Sequence, residues 1–309
     1  GGEVETASYL EMALMSHDAQ DFENAADLFN AYMGRLPVEQ LAPFTDIEYV
    51  ASREDLAILA GVPADERDEM RRRYWARLDP APLSKANERL LEHYRRVAFS
   101  LSRFSEGEQP FDERGRAHIR LGMPDHVSRS GDISGEVDPY LMRARENCVS
   151  RMRLGVEVRP GLPTYPVSNA IQWEYWVYAD IDDGIELTFT SKFSDGKYRF
   201  ADIPSMESLA GINELLSLHG DQVVGEVRRK ASSRYTPDFA DLPIDFYYYP
   251  ASFRGDHEQT RLEVYYGLPA DDIARSRQDD SDLIVFDRAI ALHDSVWNEV
   301  HRVTDQMVF

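Results

Sequence analysis

Residues 74–127 constrain the fold more than any other part of the chain, because a dense helical pattern there gives way to a short alternating pattern and a Gly-Met-Pro-Asp turn. Over 85–105 the apolar residues recur on one helix face, which predicts a long helix capped by Ser84. Over 117–121 apolar and polar residues alternate, which predicts a strand. Helical and strand patterns in one continuous run favour an α+β protein.

Residues 4–36 predict two helices joined by a turn at 18–21. These helices resemble a tetratricopeptide repeat, because five residues fall near its signature positions: Tyr9, Ala13, Ala25, Phe29 and Pro37. A plain helical hairpin is the alternative, since the Leu-Gly part of that signature is absent. In either case one hairpin cannot bury its own face, so we expect it to pack on the helices that follow.

Short motifs between residues 75 and 125 follow a series that is typical of the GWxTD domain, a bacterial family whose biochemical role is not established. The matching positions are Trp75, Arg77, Asp79, Pro80, Asn87, Glu88, Tyr94, Arg95, Arg96, 103–106, 114–116, Gly122, Pro124 and Asp125. The chain resembles this family from about residue 46 to residue 200. The resemblance implies helices packed on a small antiparallel sheet, a C-terminal β-sandwich, and export with the leader removed.

The tetrad that names the family is altered in this chain. Residues 109–113 read Gln-Pro-Phe-Asp-Glu, so the expected Trp and Thr are missing and Glu113 replaces an Asp. A site built on that Trp or Thr would be lost here. The alteration therefore favours a structural role for the motif.

The remaining elements are predicted from turn residues and from alternation along strands. A loop is expected at 128–136, a helix at 138–153, a crossover at 160–166, strands at 172–178, 185–193 and 197–200, a helix at 204–219, a linker at 231–242, and strands at 244–252, 260–268, 282–293 and from 299. These elements predict a tetratricopeptide-like hairpin over 1–38, a GWxTD-like α+β domain over 39–230 and an antiparallel β domain over 231–309. The last domain resembles a sandwich that is small or incomplete.

Two arginines beside a glycine form the first candidate site. Arg114 and Arg116 could grip a carboxylate or a phosphate through paired donors. Alternatively, they pair with Glu88, Glu92 or Asp79 and fix the predicted strand to the long helix. Asp125 follows in the Gly-Met-Pro-Asp turn, and a His/Asp site could form there from His126, His118 and His93. Catalytic residues cannot be assigned from these patterns.

Aromatic residues on strands form the second candidate site. Residues 173–178 and 246–249 place rings on both faces of their strands, since side chains alternate along a strand. Tyr247 and Tyr249 are therefore candidates for binding a protein or a sugar. The alternative is that neighbouring elements cover both faces.

Charge and motif content narrow the possible functions. The net charge of −21 argues against nucleic acid as a partner, because a phosphate backbone would be repelled. The sequence contains neither an apolar run long enough to span a membrane nor a motif for a metal or cofactor. We therefore expect a noncatalytic scaffold or protein-interaction module of the bacterial cell envelope, with an envelope-polymer hydrolase or a carbohydrate-binding protein as alternatives. A protein partner is expected, and a glycan is a possible ligand.

Overall fold

The protein is an α+β protein whose chain divides into two compact units, Gly1–Thr236 and Pro237–Phe309. The computed structural model describes residues 2–81, 84–105, 110–130, 138–152, 172–191, 196–200, 223–225, 227, 235, 247–255, 259–267, 269, 276–278, 281–283, 285–295 and 297–308. The predicted crossover at 160–166 and helix at 204–219 lie outside these residues, as does nearly all of the linker at 231–242.

The first unit begins with helices and continues with a small sheet. Its helices are α1 (Gly2–Asp18), α2 (Phe22–Met33), α3 (Val38–Thr45), α4 (Arg53–Gly61), α5 (Arg67–Arg77), α6 (Glu88–Arg103), α7 (Glu113–Leu121) and α8 (Pro139–Met152), with short 3-10 turns at Ile47–Tyr49 and Ala64–Glu66. Its strands are β1 (His126–Arg129), β2 (Gln172–Tyr178), β3 (Ile185–Ser191) and β4 (Arg199–Phe200). Helix α3 and strand β1 were not predicted, and β1 occupies the start of the expected loop.

The predicted helical hairpin is confirmed as α1 and α2, which pack side by side. The Asp21 side chain accepts a hydrogen bond from the Asn24 amide and so caps α2. Phe29 is fully buried in the seam, and its ring lies 5.5 Å from that of Tyr94 on α6. The hairpin therefore covers its apolar face by packing on a later helix.

Helix α6 begins at a different cap from the one predicted. Asn87 caps it, with its side-chain oxygen accepting from the Leu90 amide at 2.9 Å and its Nδ2 donating to the Trp75 carbonyl at 2.7 Å. The Ser84 hydroxyl instead donates to the carbonyls of Ala81 and Ala86, which fixes the turn before the helix. The predicted Ser84 cap is wrong because both residues are good caps and only the tertiary contact with Trp75 selects between them.

Residues 117–121 form the end of helix α7, and the predicted strand there is wrong. The Asp112 side chain accepts hydrogen bonds from the amides of Arg114 and Gly115 and so begins the helix. His118 and Arg120 are as buried as the apolar residues between them. The alternation over 117–121 is therefore a misleading signal, because the polar residues in it do not face solvent.

The first sheet is antiparallel, with strand order β1-β2-β3-β4, and is covered on both faces. Helix α8 packs over Trp173, Tyr175 and Val177 of β2. The opposite face carries Trp176 and Tyr178, which join a second cluster with Ala117 and Leu121 of α7. The expectation that residues 173–178 could present an open aromatic face is therefore wrong, and the alternative that both faces are covered is confirmed.

The second unit contains three antiparallel strand pairs among its described residues. They are β5 (Tyr247–Arg254) with β6 (Thr260–Gly267), β7 (Ser276–Gln278) with β8 (Ser281–Leu283), and β9 (Val285–His293) with β10 (Glu299–Val308). The Tyr266 hydroxyl on β6 accepts a hydrogen bond from Arg288 Nη1 at 2.9 Å, and it lies 3.1 Å from Met307 Sδ. One face of the β5–β6 pair is therefore tied to the β9–β10 pair.

Candidate functional site

Arg114, the first predicted binding residue, is buried and held by protein carboxylates. Its guanidinium lies 2.6 Å from Asp112 and 3.1 Å from Glu174 on β2, and it stacks over the Tyr198 ring at 3.6 Å. These partners replace the predicted ones, which were Glu88 and Glu92 on α6 and Asp79 just after α5. A guanidinium surrounded in this way links α7 to the sheet and has little capacity left to grip a ligand.

Arg116 lies one half-turn away on α7 and faces a different environment. Its side chain is half-exposed and lies 3.9 Å from Glu113. It lines a cavity of about 220 Å³ together with Tyr49, Arg53 and Arg120. Ligand pockets usually enclose about 300–1,000 Å³, so this cavity is small for a substrate. Helix geometry thus separates the two arginines that the sequence placed together.

Asp125 and His126 lie at the start of β1 and contact the sheet. The Asp125 carboxylate accepts a hydrogen bond from the Ala179 amide at 2.7 Å, and the Asp125 amide donates to the Val177 carbonyl. The His126 ring lies 2.9 Å from the Ser128 hydroxyl. Asp125 therefore helps to fix the register between β1 and β2, whereas the His126 ring contacts a residue of its own strand.

The other two histidines of the proposed His/Asp site are buried inside the helical part. His93 packs on Trp75 with ring centroids 4.9 Å apart, and His118 Nδ1 lies 3.0 Å from the Ser100 hydroxyl. Burial lowers the pKa of each ring to about 3, with help from the positive charges of Arg89 beside His93 and of Arg96 beside His118. Both rings are therefore neutral at ordinary pH and unsuited to proton transfer near pH 7.

A network of buried arginines was not anticipated from the sequence. Arg96 donates to Glu92 at 2.6 Å and to the carbonyls of Ile119 and Arg120. Arg120 in turn donates to the carbonyls of Val50 and Ala51, both at 2.9 Å. The available signal for this network was the presence of Arg on helix faces that are otherwise apolar. A buried arginine needs carboxylate or carbonyl partners, so such positions indicate a buried polar network.

Glu92 is the carboxylate at the centre of this network. Arg95 donates two hydrogen bonds to it, and His17 of α1 lies 3.7 Å away. Burial alone would raise the pKa of Glu92, but the hydrogen bonds from Arg95 and the charge of Arg96 lower it to about 2. The residue therefore acts as a fixed negative charge that holds the Arg95 and Arg96 side chains of α6.

Tyr247 and Tyr249, the remaining predicted binding residues, are exposed on one face of the β5–β6 pair. The strand register places Tyr247, Tyr249 and Phe253 of β5 on the same side as Tyr265 of β6. These four residues form what we call the aromatic face, and all four are exposed. Tyr248 and Tyr266 point to the opposite face, where Tyr266 meets Arg288.

Helix α1 carries a second exposed apolar surface. Val4, Met12 and Met15 fall within one stripe of the helix, on the side opposite the residues that pack on α2, and all three are exposed. We call these three residues the outer row. Glu5 and Glu11 flank this row and are exposed.

Within the described residues, no three His, Cys, Asp or Glu side chains converge to form a metal site. None of the described helices combines the length and hydrophobicity that crossing a bilayer requires. No protein-family model, curated protein or solved structure matches the chain. The membership of the GWxTD family thus stays a prediction from the sequence.

Proposed function

We propose that the protein is a noncatalytic interaction module that docks a helix of a partner protein on the outer row of α1. The observation that carries this proposal is that α1 is apolar on two opposite sides. Leu10, Ala13 and Leu14 pack into the core on one side, while the outer row stays exposed on the other. A helix with apolar residues on both sides is stable when it has a neighbour on each.

The chemistry of the outer row indicates the kind of partner. Met side chains adapt to varied surfaces and are common where proteins bind other proteins. The flanking Glu5 and Glu11 favour basic residues beside an apolar stripe, and the overall charge of −21 acts in the same direction. The expected partner segment is therefore an amphipathic helix with Lys or Arg next to its apolar face.

The buried network supports a scaffold more than an enzyme. Arg114, Glu92 and Asp125 are bonded to other protein groups, and His93 and His118 are neutral and buried. The hydrolase alternative would need such groups to face a cleft. A location in the bacterial cell envelope follows from the GWxTD resemblance and is part of the same proposal.

Site-specific crosslinking tests the docking surface. A photoreactive phenylalanine analogue at Met12 or Met15 is expected to give one discrete crosslinked protein in an envelope extract. The same analogue at Asp27, which is exposed on α2, is the matched control and should give none. The Met12→Glu/Met15→Glu variant should abolish capture of that protein while the thermal unfolding midpoint is retained.

Two results would refute this function. Crosslinks of equal yield from positions 12, 15 and 27 would show that the outer row has no special role. Crosslinks only between copies of the chain would show that the row is a self-association surface.

A further inference from the structure

The second unit carries a binding surface that does not depend on the docking proposed for α1. We propose that the aromatic face binds an extended, uncharged, β-linked oligosaccharide. The face is unlike the rest of the described surface, because four large rings on one side of a two-stranded ribbon are left exposed. Tyr247, Tyr249, Phe253 and Tyr265 have exposed fractions of 83, 66, 48 and 53%.

The spacing of the rings fits a linear ligand. Tyr247 and Tyr249 are two residues apart on β5, hence about 7 Å apart, and Phe253 lies about 20 Å from Tyr247 along the same strand. Tyr265 is paired with Tyr249 across the ribbon, which widens the platform at its middle. A chain of sugar rings presents flat C–H faces in a line, and such faces pack on aromatic rings.

The aromatic area of this face is by itself too small for a globular partner. The four exposed fractions together equal about two and a half aromatic side chains, or roughly 500 Å² at about 200 Å² each. A stable interface between two folded proteins buries about 800 Å² on each partner. A second copy of the chain or a folded domain would therefore need further contacts, whereas an oligosaccharide would not.

The charges on this face favour an uncharged ligand. Arg261 and Glu263 lie on the same side of β6, and their side chains are 2.5 Å apart. The Tyr265 hydroxyl donates to the Glu263 carboxylate. Because the two opposite charges satisfy each other, the face offers no net charge to an acidic or basic partner, but its polar atoms can still exchange hydrogen bonds with sugar hydroxyls.

Calorimetric titration of the full chain with β-1,4-linked hexasaccharides of glucose and of N-acetylglucosamine tests this inference. Wild-type protein is expected to bind at least one of them. The Tyr247→Ala/Tyr249→Ala variant should bind at least about tenfold more weakly, which corresponds to about 1.4 kcal/mol. The Tyr247→Phe/Tyr249→Phe variant should retain most of the affinity, because stacking needs the ring and not the hydroxyl.

Tyr248→Ala is the matched control, since Tyr248 is 69% exposed but lies on the opposite face. It should bind like wild type. Absence of binding to both hexasaccharides would overturn the proposal, as would equal losses from Tyr248→Ala and from the double alanine variant. Sedimentation that shows self-association of wild type but not of the double alanine variant would assign the face to a second copy instead. None of these outcomes bears on crosslinking at α1, so the two proposals stand or fall separately.

Discussion

Replacing Arg114 by Met should destabilise the first unit strongly, because Met is unbranched like the stem of Arg but lacks the guanidinium. The change leaves Asp112 and Glu174, whose side chains are 4 and 8% exposed, without the cation that lies between them. Breaking a buried ion pair from one side costs about 3–5 kcal/mol. After the change, Glu174 still pairs with Arg129 at 3.2 Å and still accepts a hydrogen bond from the Trp176 ring N–H. We therefore expect a loss at the lower end of this range, about 3 kcal/mol.

Urea unfolding followed by tryptophan emission measures this loss. Trp75, Trp173 and Trp176 lie in the first unit, so three of the four tryptophans report on it. With a slope of about 3 kcal/mol per molar urea, the midpoint should fall by about 1 M. Arg116→Met, two residues along the same helix and half-exposed, should change the free energy of unfolding by less than about 1 kcal/mol.

A double variant separates charge burial from packing. Removing the stranded carboxylate in Arg114→Met/Glu174→Gln should recover part of the loss, because Gln does not carry a buried charge. A single variant that costs less than about 1 kcal/mol would refute the reasoning, since a buried cation with two carboxylate partners cannot be lost so cheaply. A double variant that is less stable than the single would refute it as well.

Two further predictions concern pH and close packing. The pKa of His93 and of His118 is about 3 in the folded chain and about 6.5 in an unfolded one, so below pH 6.5 the unfolded state takes up protons that the folded state does not. The stability that the two neutral rings contribute is therefore fully present above about pH 6.5 and is lost as the pH falls towards 3. The free energy of unfolding should fall by up to about 2.7 kcal/mol per pH unit for the two rings together. Urea midpoints that stay constant between about pH 6.5 and 5 would contradict this. Gly184→Ala should lower stability by at least about 2 kcal/mol, because φ is +108° there and the new Cβ would lie 2.4 Å from the backbone of Ala144 on α8. Thermal unfolding measures that loss, and an unchanged midpoint would show that α8 can move away from the turn.

Local patterns were enough to predict most elements but not the environment of their side chains. The hairpin of α1 and α2, helix α8 and strands β2 and β3 follow from periodicity and turn residues, which are local signals. Helix α7 was misread because its polar residues, His118 and Arg120, are buried along with the apolar ones. Their burial depends on α6 and on the segment before α4, which the local pattern does not report.

The candidate site was predictable only in part for a similar reason. Tyr247 and Tyr249 are exposed, as is Tyr248 between them, whereas the similar aromatic run at 173–178 is buried on both faces. Whether an aromatic strand is open depends on what packs against it, and α8 covers β2 from a distant position in the chain. Arg114 and Arg116 are separated because they lie on a helix. The wrongly predicted strand therefore led directly to a wrongly predicted site for the two arginines.

The hydrogen bonds from Arg120 have a consequence for how this fold can change in evolution. Both acceptors are main-chain carbonyls, at positions 50 and 51, and every amino acid supplies the same carbonyl. Substitutions at those two positions can therefore preserve the link, whereas position 120 needs the forked guanidinium to reach both oxygens at once. In an alignment of descendants, position 120 should stay Arg while its partners drift, and covariation between the positions would not reveal that they touch.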